Sequence, residues 1–242
     1  RVPSSQITTD LNQIRLRAGD VLLVQGTRGA IDKLKAGGSM LVLDGTTDLV
    51  WTRASLQDPR RSGWPYSDLF HLAPALALHK RRALFIGSGG AVSLHQFASA
   101  YPGMHIDLVE HEPTVIELAR AWFGLDTIPG VRVHIADGVS FIENAIPASW
   151  DIVVIDAYDA VHCSVDFCRR SFLTAVRRSL RPGGTVACNV IGTLGEKGSV
   201  SDFTSAARRV FDTVRIVPVL TPEETYSRDA LRNVVVVAGR LD

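Results

Sequence analysis

The stretch Ala83-Leu84-Phe85-Ile86-Gly87-Ser88-Gly89-Gly90 constrains the fold of this chain more than any other. An apolar run passes straight into a glycine turn, and a helix-like segment follows to about Tyr101. The pattern predicts the first strand, turn and helix of a nucleotide-binding βαβ unit. Gly87 and Gly89 let the backbone turn sharply and approach a ligand closely, and the helix offers unpaired N–H groups at its start. The dinucleotide fingerprint is incomplete, because Val92 stands where a third glycine is expected. A pyrophosphate ligand is therefore disfavoured. The second strand, ending at Glu110, places a carboxylate at about the distance where this architecture keeps its ribose-binding acid. A nucleoside without a diphosphate is the ligand this pattern predicts.

The rest of the chain supports that unit. From Arg82 onward, apolar β-rich runs alternate with helical periods. Strands are predicted over 106–110, 131–135, 152–155 and 185–190, with closing strands near 214–217 and 233–237. Helices are predicted from Pro113 to Trp122, from Asp137-Gly138 to about Ala145, from Asp166 to Leu180 and around 201–211. Asp166 is expected to act as an N-cap, and Arg181-Pro182-Gly183-Gly184 to form a turn. The run Ile152-Val153-Val154-Ile155 has the composition of a strand buried on both faces. Such alternation predicts a doubly wound, Rossmann-like α/β domain. Before it, short apolar runs over 21–25, 30–34 and 39–43, separated by glycines, predict a small antiparallel meander. A loop from Gln57 to Pro65 and a helix from Tyr66 to His79 join the two. The predicted organisation is an N-terminal β-strand subdomain and linker over 1–65 and a nucleoside-binding catalytic domain over 66–242.

Ligands of an open parallel sheet bind beyond the C-terminal ends of its strands. Glu110, Asp137 and Asp156 are predicted at three such ends, with Glu112 and Asp159 following in the loops and Asp48 and Asp68 approaching from the N-terminal part. The formal net charge of the whole chain is only +1, so these carboxylates form a local concentration. Like charges held close raise one another's pKa, and a cationic ligand is the simplest compensation. The basic residues are dispersed, which argues against a nucleic-acid or acidic-membrane surface. No apolar stretch predicts a membrane span and no signal peptide is visible; beginning at Arg1, the chain is read as lacking its native N-terminus. Cys163, Cys168 and Cys188 lack metal-type or redox-type spacing, which suits packing roles in a reducing cytoplasm. Among the histidines, His71 is expected in the core or on a dimer face, and His111 and His162 near the cleft. Ser88 lacks a His and Asp at recognisable spacing, which makes a hydrolase elbow a poor match.

Several of these residues carry a resemblance. Leu43-Asp44-Gly45, Tyr66-Ser67-Asp68, His71, Pro74, the glycine turn, Val109-Glu110, Asp137-Gly138 and Asp156-Ala157-Tyr158-Asp159 together resemble the spermidine synthase family of polyamine aminopropyltransferases. The glycine turn and acidic second strand are shared by class I methyltransferase-like folds generally, so they carry the fold; the Asp-x-x-Asp pair is the most informative about reaction. The resemblance implies transfer of the aminopropyl group of decarboxylated S-adenosylmethionine to a diamine such as putrescine, with methylthioadenosine leaving and no metal required. It implies that Asp156 accepts the amine proton, Tyr66 orients the amine, and Asp159 helps to bind it. Glu110 would hold the ribose hydroxyls and Asp137, beside Gly138, the adenine amine, with Gly87 and Gly89 in the donor turn and Asp48 and Asp68 on the acceptor side. A homodimer is implied in the same way. The sequence departs from the family pattern at Gly90, where the glycine turn normally has an Asp; at Asp48, in place of a Gln; at Ser67-Asp68, in place of His-Glu; and at Ala160, in place of a Pro. Two other readings follow from these departures: an S-adenosylmethionine-dependent methyltransferase, and a homologue that binds a nucleoside or polyamine without turnover.

Overall fold

The computed structural model describes residues 58, 60, 65–87, 89–159, 162–163, 165–220 and 226–239. The chain divides into two units, residues 1–50 and 51–242, and every described residue belongs to the second. The predicted meander, Asp48, Ser88 and most of the loop 57–65 lie outside the described residues.

The strands are β1 (Arg82–Ile86), β2 (His105–Glu110), β3 (Val131–Ile135), β4 (Trp150–Ile155), β5 (Tyr158–Asp159), β6 (His162–Cys163), β7 (Leu180–Gly192), β8 (Thr213–Pro218) and β9 (Arg232–Gly239). The α-helices are α1 (Tyr66–Leu69), α2 (Leu72–Leu76), α3 (Val92–Ala100), α4 (Pro113–Phe123), α5 (Gly138–Glu143), α6 (Arg170–Ser179) and α7 (Ser199–Arg208). Among the described residues, seven strands form one sheet in the order β3-β2-β1-β4-β7-β9-β8, and β5 pairs with β6 separately. The pairs from β3 to β7 are parallel, whereas β9 runs antiparallel to both β7 and β8. The sheet is thus mixed. The connection from β8 to β9 carries no crossover helix among its described residues, as suits an antiparallel neighbour.

Alternation along each strand divides the core in two. On one face, Leu84, Ile86, Val153, Ile155, Val234 and Val236 pack with Phe172, Val176 and Phe203 from α6 and α7. On the other, Ala83, Phe85, Ile152, Val154, Val235 and Val237 pack with Phe70, Leu94, Phe97 and Ile116 from the α1–α2 segment, α3 and α4. Both faces are covered, which is why these strands read as unbroken apolar runs. The doubly wound, Rossmann-like arrangement predicted from the sequence is the one observed.

Three local predictions need correction. The helix expected over 66–79 is two short helices, and the chain turns extended at Ala77, whose ψ is 142°. Arg181–Gly184 lies within β7 as an excursion in the ladder, where pairing jumps from Trp150↔Leu180 to Ile152↔Thr185. Asp166 does not cap a helix. It sits in a 3-10 turn, its carboxylate 2.6 Å from the Arg169 guanidinium, and α6 starts after Arg169 without a side-chain cap.

Two buried carboxylates hold the sheet together. Asp151 accepts from the backbone N–H groups of Arg81 and Arg82 at 2.8 and 2.9 Å. Asp107 accepts from Trp150 Nε1 at 2.9 Å, with His134 Nε2 at 2.9 Å and Arg82 Nη2 at 3.5 Å. Burial pushes the Asp107 carboxyl up, but the bonds from His134 and Trp150 and the charges of His134 and Arg82 outweigh it and hold the group below its ordinary value. A depressed folded pKa contributes stability that is present above the unfolded carboxylate value and lost as pH falls through the folded one. Asp107→Asn is therefore expected to cost about 2 kcal/mol at neutral pH, the range for hydrogen bonds to a charged group. In urea titrations the difference from wild type should shrink below the ordinary carboxylate pKa. A difference of the same size at pH 7 and pH 3 would refute this account.

Candidate active site

Backbone hydrogen bonds continue the ladder past the strand ends. Ala136 N donates to Glu110 O at 3.0 Å, Gly87 N to Val109 O at 2.9 Å, and Asp156 N to Ile86 O at 2.9 Å. The residues that follow β3, β2, β1 and β4 therefore emerge side by side along one edge of the sheet. Gly87 has φ of +89°, and a Cβ there would overlap the Asp156 carbonyl oxygen. The turn continues through Gly89 at φ +44° and Ala91 at φ +56° before α3 begins. Ala91 is fully buried in a left-handed conformation that alanine seldom adopts.

Asp156 follows β4 at this edge. Asn189 Nδ2, from β7, donates to its Oδ1 at 3.0 Å, and the Tyr66 hydroxyl, from α1, donates to the same carboxylate. Burial pushes the Asp156 carboxyl up to about 6, while the bonds from Asn189 and Tyr66 pull the other way. Burial and then the charge of Asp156 push the Tyr66 hydroxyl upward, so it stays protonated and donates. The contrast with Asp107 and Asp151 is chemical: each of those two has a cationic or backbone donor among its partners, whereas both donors to Asp156 are neutral side chains. A carboxylate so placed is ionised at pH 7 and retains the capacity to hold a cation or take up a proton.

Glu110 is 8% exposed, and its Oε1 accepts from the Glu112 backbone N–H at 3.2 Å. His111, when protonated, bridges Glu110 at 3.2 Å and Glu112 at 3.8 Å. Asp137 caps α5, its Oδ2 accepting from Ser140 N at 2.7 Å. That bond holds the Asp137 carboxyl below the usual range against the opposing effect of burial, and the His111 charge adds to it. A Cβ on Gly138 would lie 2.5 Å from Ile86 Cγ2, so the residue lets α5 approach β1.

The structure thus joins Asp156 to Tyr66, and His111 couples Glu110 and Asp137. Asp68 is placed differently. Its carboxylate accepts from Gln96 Nε2 of α3 at 2.7 Å, and the same amide donates to Arg60 O at 3.0 Å. Asp159 lies in β5, paired through the backbone with His162 of β6, and Asp48 is outside the described residues. Sequence reasoning missed Asn189 and Asn233. The signal available was a polar residue inside the buried run Val186-Ala187-Cys188-Asn189-Val190, since a buried amide requires partners. Among the described residues no cluster of His, Cys, Asp and Glu is arranged to hold a metal ion, and no helix is long and apolar enough to cross a membrane.

Residues 66–235 match the family model described as the spermine/spermidine synthase domain. Spermidine synthase 2 of Arabidopsis thaliana is 27% identical over 179 residues, covering 72% of this chain and 50% of the relative. Putrescine N-methyltransferase 1 of Nicotiana tabacum is 27% identical over 180 residues, covering 72% of this chain and 45% of the relative. A crystal structure of a probable spermidine synthase from Corynebacterium glutamicum shares the fold with a TM-score of 0.68 at 22% identity, covering 78% of this chain and 68% of that one. The chain spans about half the length of the curated relatives it matches.

Proposed function

Because the chain belongs to the spermine/spermidine synthase domain family, we propose that it is an aminopropyltransferase, moving the aminopropyl group of decarboxylated S-adenosylmethionine to a diamine such as putrescine. The observation that carries this reading is Asp156 at the end of β4, a carboxylate of raised pKa held by the neutral donors Asn189 and Tyr66. In the proposed reaction the acceptor binds as an ammonium against Asp156, and burial of that cation favours its deprotonation. The proton passes to the carboxylate. The freed nitrogen lone pair attacks the aminopropyl carbon next to the sulfonium, the C–S bond breaks, and its electron pair leaves with methylthioadenosine. Most of the rate comes from alignment of nitrogen, carbon and sulfur.

In this reading Tyr66 orients the amine and Asp159 helps to bind it. Glu110 takes the ribose hydroxyls, Asp137 receives the adenine amine, and Gly87, Gly89 and Gly138 lie on the donor side, where Gly87 and Gly138 let the backbone pack closely around the donor. Asp48 and Asp68 complete the acceptor side. Residues 66–242 are the catalytic domain, and the protein works as a cytoplasmic homodimer.

Gly90 favours a second reading. It is buried in the turn at the position where the resemblance expects an Asp beside the donor amine, and putrescine N-methyltransferases are among the relatives. Methyl transfer from intact S-adenosylmethionine is the reaction that would follow. Calorimetric binding of S-adenosylmethionine, its decarboxylated form and methylthioadenosine, followed by product analysis with putrescine, separates the readings. Tighter binding of the decarboxylated donor and formation of spermidine are expected. Preference for the intact donor with N-methylputrescine as product would replace the first reading by the second, and binding of none of the three would end both.

A further inference from the structure

Asn189 is 1% exposed and lies among the apolar residues of β7. A buried amide left unpaired costs about 1–3 kcal/mol, and here both ends are paired. Its Nδ2 donates to Asp156 Oδ1 at 3.0 Å, and its Oδ1 accepts from Asn233 Nδ2 at 3.0 Å. The polarity of this chain of bonds is dictated from the carboxylate outward. An ionised carboxylate only accepts, so the amide NH2 of Asn189 must face it; the Asn189 oxygen then faces Asn233, which must donate. Asn189 pairs with Val235 across the β7–β9 ladder, so Asn233 is its diagonal neighbour on the same face. The backbone of Asn233 is itself fixed, its carbonyl accepting from Val219 N at 3.0 Å.

We infer that Asn189 and Asn233 are positioning residues, a relay of two amides from β9 through β7 that fixes the plane of the Asp156 carboxylate toward the acceptor amine. The inference rests on the proposed role of Asp156 for its effect on rate, but not for its effect on the carboxylate itself. Tyr66 from α1 is the titratable side chain that touches Asp156; Asp159 follows in β5, and Glu110 stands at the end of β2 on the far side of β1. None of these donates through Asn189.

The test is the carbon-13 NMR titration of the Asp156 carboxyl, with kcat and KM measured in parallel, in wild type, Asn189→Leu and Asn233→Leu. Leucine has the same branched heavy-atom skeleton as asparagine and removes the amide. Asn189→Leu deletes a donor to the carboxylate and should move the Asp156 titration, and the acid limb of kcat, to higher pH. Asn233→Leu leaves Asn189 free to rotate and should move both in the same direction by less, with kcat falling about fivefold, the rate equivalent of one hydrogen bond, and the donor KM unchanged. The double variant should resemble Asn189→Leu rather than the sum of the two. If Asn189→Leu does not fold, the partly buried Asn233 position decides alone. An Asp156 titration and kcat unchanged in Asn233→Leu would overturn the relay. A shifted titration in a protein that transfers no aminopropyl group would uphold the relay and refute the proposed function instead.

Discussion

Asp156→Asn is expected to lower kcat/KM for aminopropyl transfer by about 10³-fold, within the range for loss of a positioned general base, while making the folded protein more stable at pH 7. The two effects share one cause. Burial raises the folded pKa of Asp156 from 3.8 to about 6. The folded state therefore holds this proton more tightly than the unfolded chain does. Across the window from about pH 4 to about pH 6 the folded protein is protonated at Asp156 where the unfolded chain is not, so this group's contribution to stability falls as pH rises. Above that window the penalty is constant, and asparagine removes it while its amide oxygen can still accept from Asn189. A rise from 3.8 to about 6 bounds the gain at roughly 3 kcal/mol, and an increase of about 1–2 kcal/mol at pH 7, vanishing near pH 4, is expected in denaturant titrations after relaxation of the site. The wild-type rate should show an acid limb at about pH 6, because the proposed mechanism requires the ionised carboxylate to hold the ammonium and accept its proton. A variant that keeps its activity, or one that is less stable than wild type at pH 7, would remove Asp156 from the centre of the site.

The parts of this arrangement visible in the sequence are those set by local pattern. An apolar strand followed by glycines, and carboxylates standing where apolar runs stop, located Gly87, Glu110 and Asp156, because parallel strands buried on both faces announce their own ends. Asn189 and Asn233 stayed hidden because their relation depends on the β7–β9 register, a pairing between segments far apart in the chain. Asp107 was hidden for a related reason. It interrupts β2 with a charge that makes sense only once His134 and Trp150 converge on it from β3 and β4. Asp68 belongs to a motif by resemblance, yet its carboxylate engages Gln96, a contact fixed by how α1 packs against α3. The antiparallel insertion of β9 between β7 and β8 was likewise beyond local pattern, since apolar alternation reports burial and not strand direction.

The backbone beneath the site offers the other large effect, through Gly87→Ala. Gly87 stands where β1 ends, donating to Val109 O on one side while the Asp156 carbonyl packs against its Cα on the other. Its φ of +89° is unfavourable for alanine, and a Cβ would in addition overlap the Asp156 carbonyl oxygen and lie 3.2 Å from Ala157 Cα. Both obstacles are backbone atoms of the segment that carries Asp156, so no side-chain rotation relieves them. Gly103 separates the two penalties, because its φ is +84° and nothing lies within 4 Å of a Cβ built there. Gly103→Ala should cost only the conformational penalty, about 1–2 kcal/mol. Gly87→Ala should cost about 4 kcal/mol, at the upper end for single substitutions, and should abolish calorimetric binding of the adenosyl donor even where the variant remains folded, because relief requires β1 and β4 to move apart at the residues that line the site. If the two variants are equally stable, the turn at Gly87 yields without disturbing Asp156, and the close packing of glycine turn and carboxylate is not what positions the site.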